Sequence, residues 1–72
     1  MKKNNKIKIK VNGKSSIIED NLSLFNYIQK LKVPLKKVAI ELNQTIVNKR
    51  LLKKIKLKKN DKIEIVHFIG GG

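Results

Sequence analysis

The stretch Lys6-Ile7-Lys8-Ile9-Lys10-Val11-Asn12-Gly13-Lys14 decides the fold. Ile7, Ile9 and Val11 alternate with lysines, which is the period-two pattern of a strand with one buried and one wet face. Asn12-Gly13 stops that strand, and both residues tolerate the positive φ that a two-residue hairpin turn requires. Lys14 to Glu19, with Ile17 and Ile18, then reads as the returning strand. The chain opens with a β-hairpin.

After the hairpin the apolar period changes. Leu24, Ile28 and Leu31 recur at helical spacing, with Phe25 widening the stripe. Ser23 is placed to cap this helix, its hydroxyl accepting from an early backbone N–H, and Leu22 and Tyr27 stand at the spacing of a hydrophobic staple. Pro34 disfavours continuation beyond about Lys32. The stripe, with Phe25 and Tyr27, reads as core and not as a ligand box.

Toward the C-terminus the strand pattern returns. Val38 to Leu42 is a strand, Asn43-Gln44 a turn and Thr45 to Val47 a short partner strand. Lys49 to Lys59 is a basic connection anchored by Leu51, Leu52, Ile55 and Leu57, with room for a helical turn. Asn60-Asp61 signals another turn, and Lys62 to Phe68 alternates again as a last strand. The order is β-β-α-β-β-turn-β. A sheet covered on one face by a single amphipathic helix is the smallest two-layer α+β arrangement. Placing the last strand beside the first would centre it in the sheet.

With 72 residues, the chain is one small domain. A domain of this size buries only roughly 60% of its unfolded surface, which leaves no room for an enclosed catalytic cleft. The absence of cysteine excludes disulfides, thiolate metal sites and a sulfur nucleophile of its own. Met1-Lys2-Lys3-Asn4-Asn5 does not open a secretory leader, and no apolar run is long enough to cross a membrane, so a cytoplasmic protein is expected.

Eighteen Lys and Arg against five Asp and Glu give a formal charge of +13. The lysines are spread along the chain, Arg50 is the sole arginine, and aromatic residues make up 4%. Base-edge readout favours arginine, and single-strand binding favours aromatic platforms. The composition therefore argues against nucleic acid as the partner and for a lysine-solvated surface, leaving a small basic RNA-binding domain as a lower-ranked reading.

Gly70-Gly71-Gly72 follows the apolar residues Ile63, Ile65, Val66, Phe68 and Ile69. Glycines without Cβ can thread a narrow channel, so the tail is read as a flexible stalk presenting the α-carboxylate of Gly72. The sequence lacks the Lys-Ser/Thr and helix that a phosphate-binding loop needs after its glycines. His67 has no nucleophile nearby in sequence and is assigned a structural or docking role. The acids Glu19, Asp20, Glu41, Asp61 and Glu64 are scattered, with no metal spacing and no acid–base couple. No catalytic residue and no metal site are expected. Phe68 and Ile69 are candidate docking residues at the base of the tail.

Several of these segments together resemble a known family. Val38-Ala39-Ile40-Glu41-Leu42-Asn43, Ile46-Val47-Asn48-Lys49-Arg50, Asn60-Asp61-Lys62-Ile63-Glu64-Ile65-Val66 and the terminal glycines are similar to the sulfur carrier protein of thiamine biosynthesis. The likeness runs from Ile7 through Gly72. Asn60 stands where members of that family usually carry glycine, and asparagine also tolerates positive φ.

The resemblance implies an α+β, ubiquitin-like β-grasp domain over residues 1–69, a mixed sheet of about five strands packed on one helix, with 70–72 as a flexible tail. It implies a carrier and not an enzyme. An E1-like adenylating enzyme of the ThiF type would activate Gly72 with ATP, which this chain itself does not bind as a cofactor. A sulfur donor such as a cysteine desulfurase or rhodanese-type protein would convert the adenylate to a thiocarboxylate, and a thiazole synthase of the ThiG type would receive the sulfur. The alternatives within the same fold are the small subunit of molybdopterin synthase, which tends to be longer with a Pro-rich approach to its tail, and a ubiquitin-like modifier.

Overall fold

The computed structural model describes residues 5–68. β1 (Lys6–Val11) and β2 (Lys14–Glu19) pair antiparallel, with Val11 opposite Lys14 and Lys6 opposite Glu19. The turn between them places Asn12 at φ 50° and Gly13 at φ 83°. Helix α1 (Leu24–Leu31) begins where Ser23 Oγ accepts from the Asn26 amide at 3.0 Å. It ends at Lys32, whose backbone is left-handed at φ 59° and whose N–H donates to Gln29 O. A short 3-10 helix (Leu35–Lys37) leads into β3 (Val38–Leu42).

Asn43 and Gln44, both at positive φ, turn the chain into β4 (Thr45–Ile46). The expected strand through Val47 is thus one residue shorter, although the Val47 amide still donates to Ile40 O at 2.9 Å. The basic connection folds as a second 3-10 helix (Lys49–Lys54), capped by Asn48 Oδ1 on the Arg50 amide. Asn60, at φ 71°, takes the conformation glycine would supply, and β5 (Lys62–His67) follows.

The sheet order is β2-β1-β5-β3-β4, so the last strand lies centrally and parallel to the first. That parallel pairing covers only Lys62 and Ile63, opposite Lys10 and Val11. Beyond it β5 runs past the hairpin turn with β3 as its flanking strand. The Asn12 side chain bridges the step, its Oδ1 accepting from the Ile65 amide at 2.8 Å.

One sheet face and the inner stripe of α1 form the core. Ile9, Ile18, Val38, Ile40 and Ile63 meet Leu24, Tyr27 and Ile28, with Leu52 and Leu57 closing one side. The segment after the second 3-10 helix is sewn to the start of α1: Leu24 N–H donates to Ile55 O and Leu57 N–H to Leu22 O, both at 2.8 Å. Among the described residues no helix is long and apolar enough to cross a membrane.

Candidate functional site at the end of β5

Alternation fixes what the end of β5 presents. Ile63 is buried and Ile65 half-buried on the core face, whereas Glu64 and Val66 point to the outer face. His67 stands opposite Val38 and is exposed, and among the described residues no three His, Cys, Asp or Glu groups could hold a metal ion. Phe68 lies just past the strand. Its amide donates to Lys37 O at 2.9 Å, which holds the backbone against the entry to β3.

Phe68 remains 48% exposed. Lys49 Nζ sits 5.4 Å from its ring centroid and also donates to Leu35 O. An ammonium over a ring face is attracted by the ring quadrupole, an effect worth about 0.5–1 kcal/mol at exposed sites. The exit of β5 is therefore an apolar ring framed by the two 3-10 helices. Sequence reading singled out Phe68 but not this frame, because the contact of Lys49 with Phe68 arises only when distant turns are brought together. Ile69, Gly70, Gly71 and Gly72 lie outside the described residues.

Two acids separated in sequence also come together. Glu41 and Glu64 are directly opposite each other across β3 and β5, beside Ile46 on β4 and one step from the Ala39–Val66 pair. They share the outer face of the sheet, so the acidic set is less scattered than the sequence suggests. The face is open. Like charges directly opposite are mildly destabilising, and among the described residues nothing encloses a substrate between them. A separate hollow of about 310 Å³ lies between β2 and α1, lined by Ser16, Ile18, Leu22, Tyr27 and Leu31 among others. β1 and β5 separate β2 from β3, so this hollow is on the other flank of the sheet from the β3 entry that holds Phe68.

A mixed sheet of order 2-1-5-3-4, with its last strand parallel to its first and one helix across its face, is the ubiquitin-like β-grasp fold. The crystal structure of the thiamine biosynthesis protein ThiS from Geobacter metallireducens matches it with a TM-score of 0.81 at 29% identity, covering 92% of this chain and 100% of that one.

The ThiS family model matches residues 4–72, and the chain belongs to that family. It is 33% identical over 69 residues to the uncharacterized protein ycf40 of Porphyra purpurea, covering 96% of this chain and 97% of that protein. It is also 36% identical over 66 residues to a thiazole synthase of Magnetococcus marinus. There it spans 92% of its own length but only 20% of the synthase.

Proposed function

We propose that this chain is a sulfur carrier for the thiazole part of thiamine, with Gly72 as the carrying residue. The observation that carries the reading is the match to the ThiS family over residues 4–72, which extends through the terminal glycines. A segment similar to this chain within thiazole synthases supports a thiazole synthase as the protein that takes the sulfur.

The chemistry follows from a carboxylate's poor reactivity. The Gly72 carboxylate oxygen attacks the α-phosphorus of ATP held by an E1-like enzyme, and pyrophosphate leaves. A sulfur nucleophile from a donor protein then attacks the acyl carbon and AMP leaves. Where that nucleophile is a persulfide on the donor, a thiol attacks the donor-side sulfur of the acyl disulfide so formed, a new disulfide takes up the oxidation, and the thiocarboxylate leaves with its sulfur as the nucleophile for thiazole formation. ATP belongs to the activating enzyme, and this chain is substrate and carrier. Water must be kept from the mixed anhydride, so the enzyme has to enclose the end of the tail. Gly70, Gly71 and Gly72 offer no Cβ to obstruct that enclosure.

Tandem mass spectrometry of the chain incubated with ATP and the activating enzyme tests this reading. AMP is expected on Gly72, and a terminal thiocarboxylate once a sulfur donor is added. Deleting Gly72 withdraws the carboxylate by up to about 3.6 Å and should abolish adenylation, as should adding one residue. Equal adenylation of all three chains, or modification confined to lysine side chains, rejects the assignment.

A further inference from the structure

The charges are not spread evenly over the fold. No acidic residue occurs from Asn21 to Ile40 or from Leu42 to Asn60, and these stretches carry most of the 18 cations. They include α1, both 3-10 helices and the connection to β5. Glu19, Glu41 and Glu64 instead fall on strands, with Glu41 and Glu64 together on the outer sheet face.

The part of this basic side nearest to Phe68 is defined by contacts. Lys37 accepts the Phe68 amide through its carbonyl, and Lys49 lies over the Phe68 ring. Lys36 and Arg50 are their neighbours in the two 3-10 helices, and all four are exposed. The geometry points to a docking collar: Lys37 and Lys49, which contact Phe68, with Lys36 and Arg50 next to them in the chain, seat on an acidic surface of the enzyme that adenylates Gly72.

This inference rests on the carrier reading above. The four residues after Phe68 reach at most about 14 Å when fully extended. An enzyme that encloses the Gly72 carboxylate therefore comes within that distance of Phe68. At physiological salt the Debye length is about 8 Å, so the collar and the rim of such an enzyme attract each other once they close to within roughly that distance. Complementary charge raises the encounter rate and fixes orientation, while half-exposed Phe68 supplies apolar area beside the collar. Nucleic acid fits the collar less well. Tyr27 is buried, and Phe25 and Phe68 each hold a lysine ammonium over the ring, at 4.9 and 5.4 Å, where a base would stack.

Two double variants separate placement from total charge. Lys37→Glu with Arg50→Glu reverses the collar. Lys56→Glu with Lys59→Glu makes the same change in net charge near the start of β5. Affinity for the activating enzyme is measured by calorimetry without ATP, and KM for the carrier by ATP–pyrophosphate exchange, at about 50 and about 300 mM NaCl.

The collar variant should bind about tenfold more weakly at the lower salt, raise KM by a similar factor with kcat unchanged, and lose most of its salt dependence. The control should stay within about twofold of the wild type. Circular dichroism spectra and melting curves that match the wild type exclude unfolding as the cause. Equal effects of both variants, or salt-independent binding by the wild type, overturn the collar. Salt-dependent binding that tracks the collar without adenylation of Gly72 sustains the collar and rejects the carrier chemistry. Tighter binding of an RNA duplex than of the enzyme through Lys37 and Arg50 assigns the face to nucleic acid and overturns it.

Discussion

Asn12 does two things, and only one is legible in its neighbours. Next to Gly13 it marks a tight turn, which the structure bears out with φ 50° and 83°. Its carboxamide oxygen also takes the Ile65 amide, 53 residues away in sequence, beyond the reach of any local pattern. The two roles separate by substitution. Asn12→Gly keeps the positive φ and removes the hydrogen bond, for an expected loss of about 0.5–1.5 kcal/mol. Asn12→Ala removes both and should cost about 1 kcal/mol more, because alanine resists the left-handed conformation. Urea denaturation of the two variants checks this, and equal losses would show that the turn angle costs nothing. Lys32 predicts the opposite sign. It closes α1 at φ 59° with a side chain that gains nothing from that backbone, so Lys32→Gly should raise stability by about 0.5–1 kcal/mol in the same assay.

At the scale of elements, strands with strict alternation and their turn residues were legible, as was the helix from its cap to its end. The 3-10 helix at Leu35–Lys37 was not foreseen, because three residues after a proline carry no period. The connection before β5 was read only as a basic link with room for a helical turn, yet Ile55 and Leu57 bond to the entry of α1 and Leu57 is fully buried. Its order comes from tertiary pairing that a sequence window cannot contain. Ser23 sits at this junction: it caps α1, forms an isolated bridge with Lys56 and is only 7% exposed. Ser23→Ala should therefore cost at least the ordinary cap value of about 1 kcal/mol and loosen both segments. Hydrogen exchange is the discriminating measurement. Faster exchange at Leu24 and Leu57 together is expected, and a change confined to Asn26 would reduce Ser23 to a local cap.

At the scale of the molecule, β5 is both a central strand and the element that leads to the terminal glycines. A domain of this length has about 4–11 kcal/mol of total stability, from roughly 0.05–0.15 kcal/mol per residue. Ile40 is fully buried on β3 opposite Ile65, so Ile40→Ala, at about 2–5 kcal/mol, should remove a large fraction of that total. That the strand before the glycines lies beside the first, and so centrally, is a property of the fold that the sequence posed only as a condition. The sequence did not imply that the pairing with β1 stops at Ile63, since register between strands so far apart depends on the whole chain. Beyond Ile63 the strand is held by four register pairs with β3, by Asn12 and by the Phe68–Lys37 bond. β4, by contrast, is two residues long and both are exposed. Native-state hydrogen exchange should therefore report a hierarchy: amides of Glu64 and Val66 open only with global unfolding, while Thr45 and Val47 exchange through local opening at lower free energy. Phe68 is the informative amide, because its backbone bond to Lys37 is the last one among the described residues. If it exchanges as slowly as Val66, the platform extends to the collar. If it exchanges with Val47, the site is anchored two residues earlier, at Val66, and the span available to Gly72 is longer than the four residues after Phe68 allow.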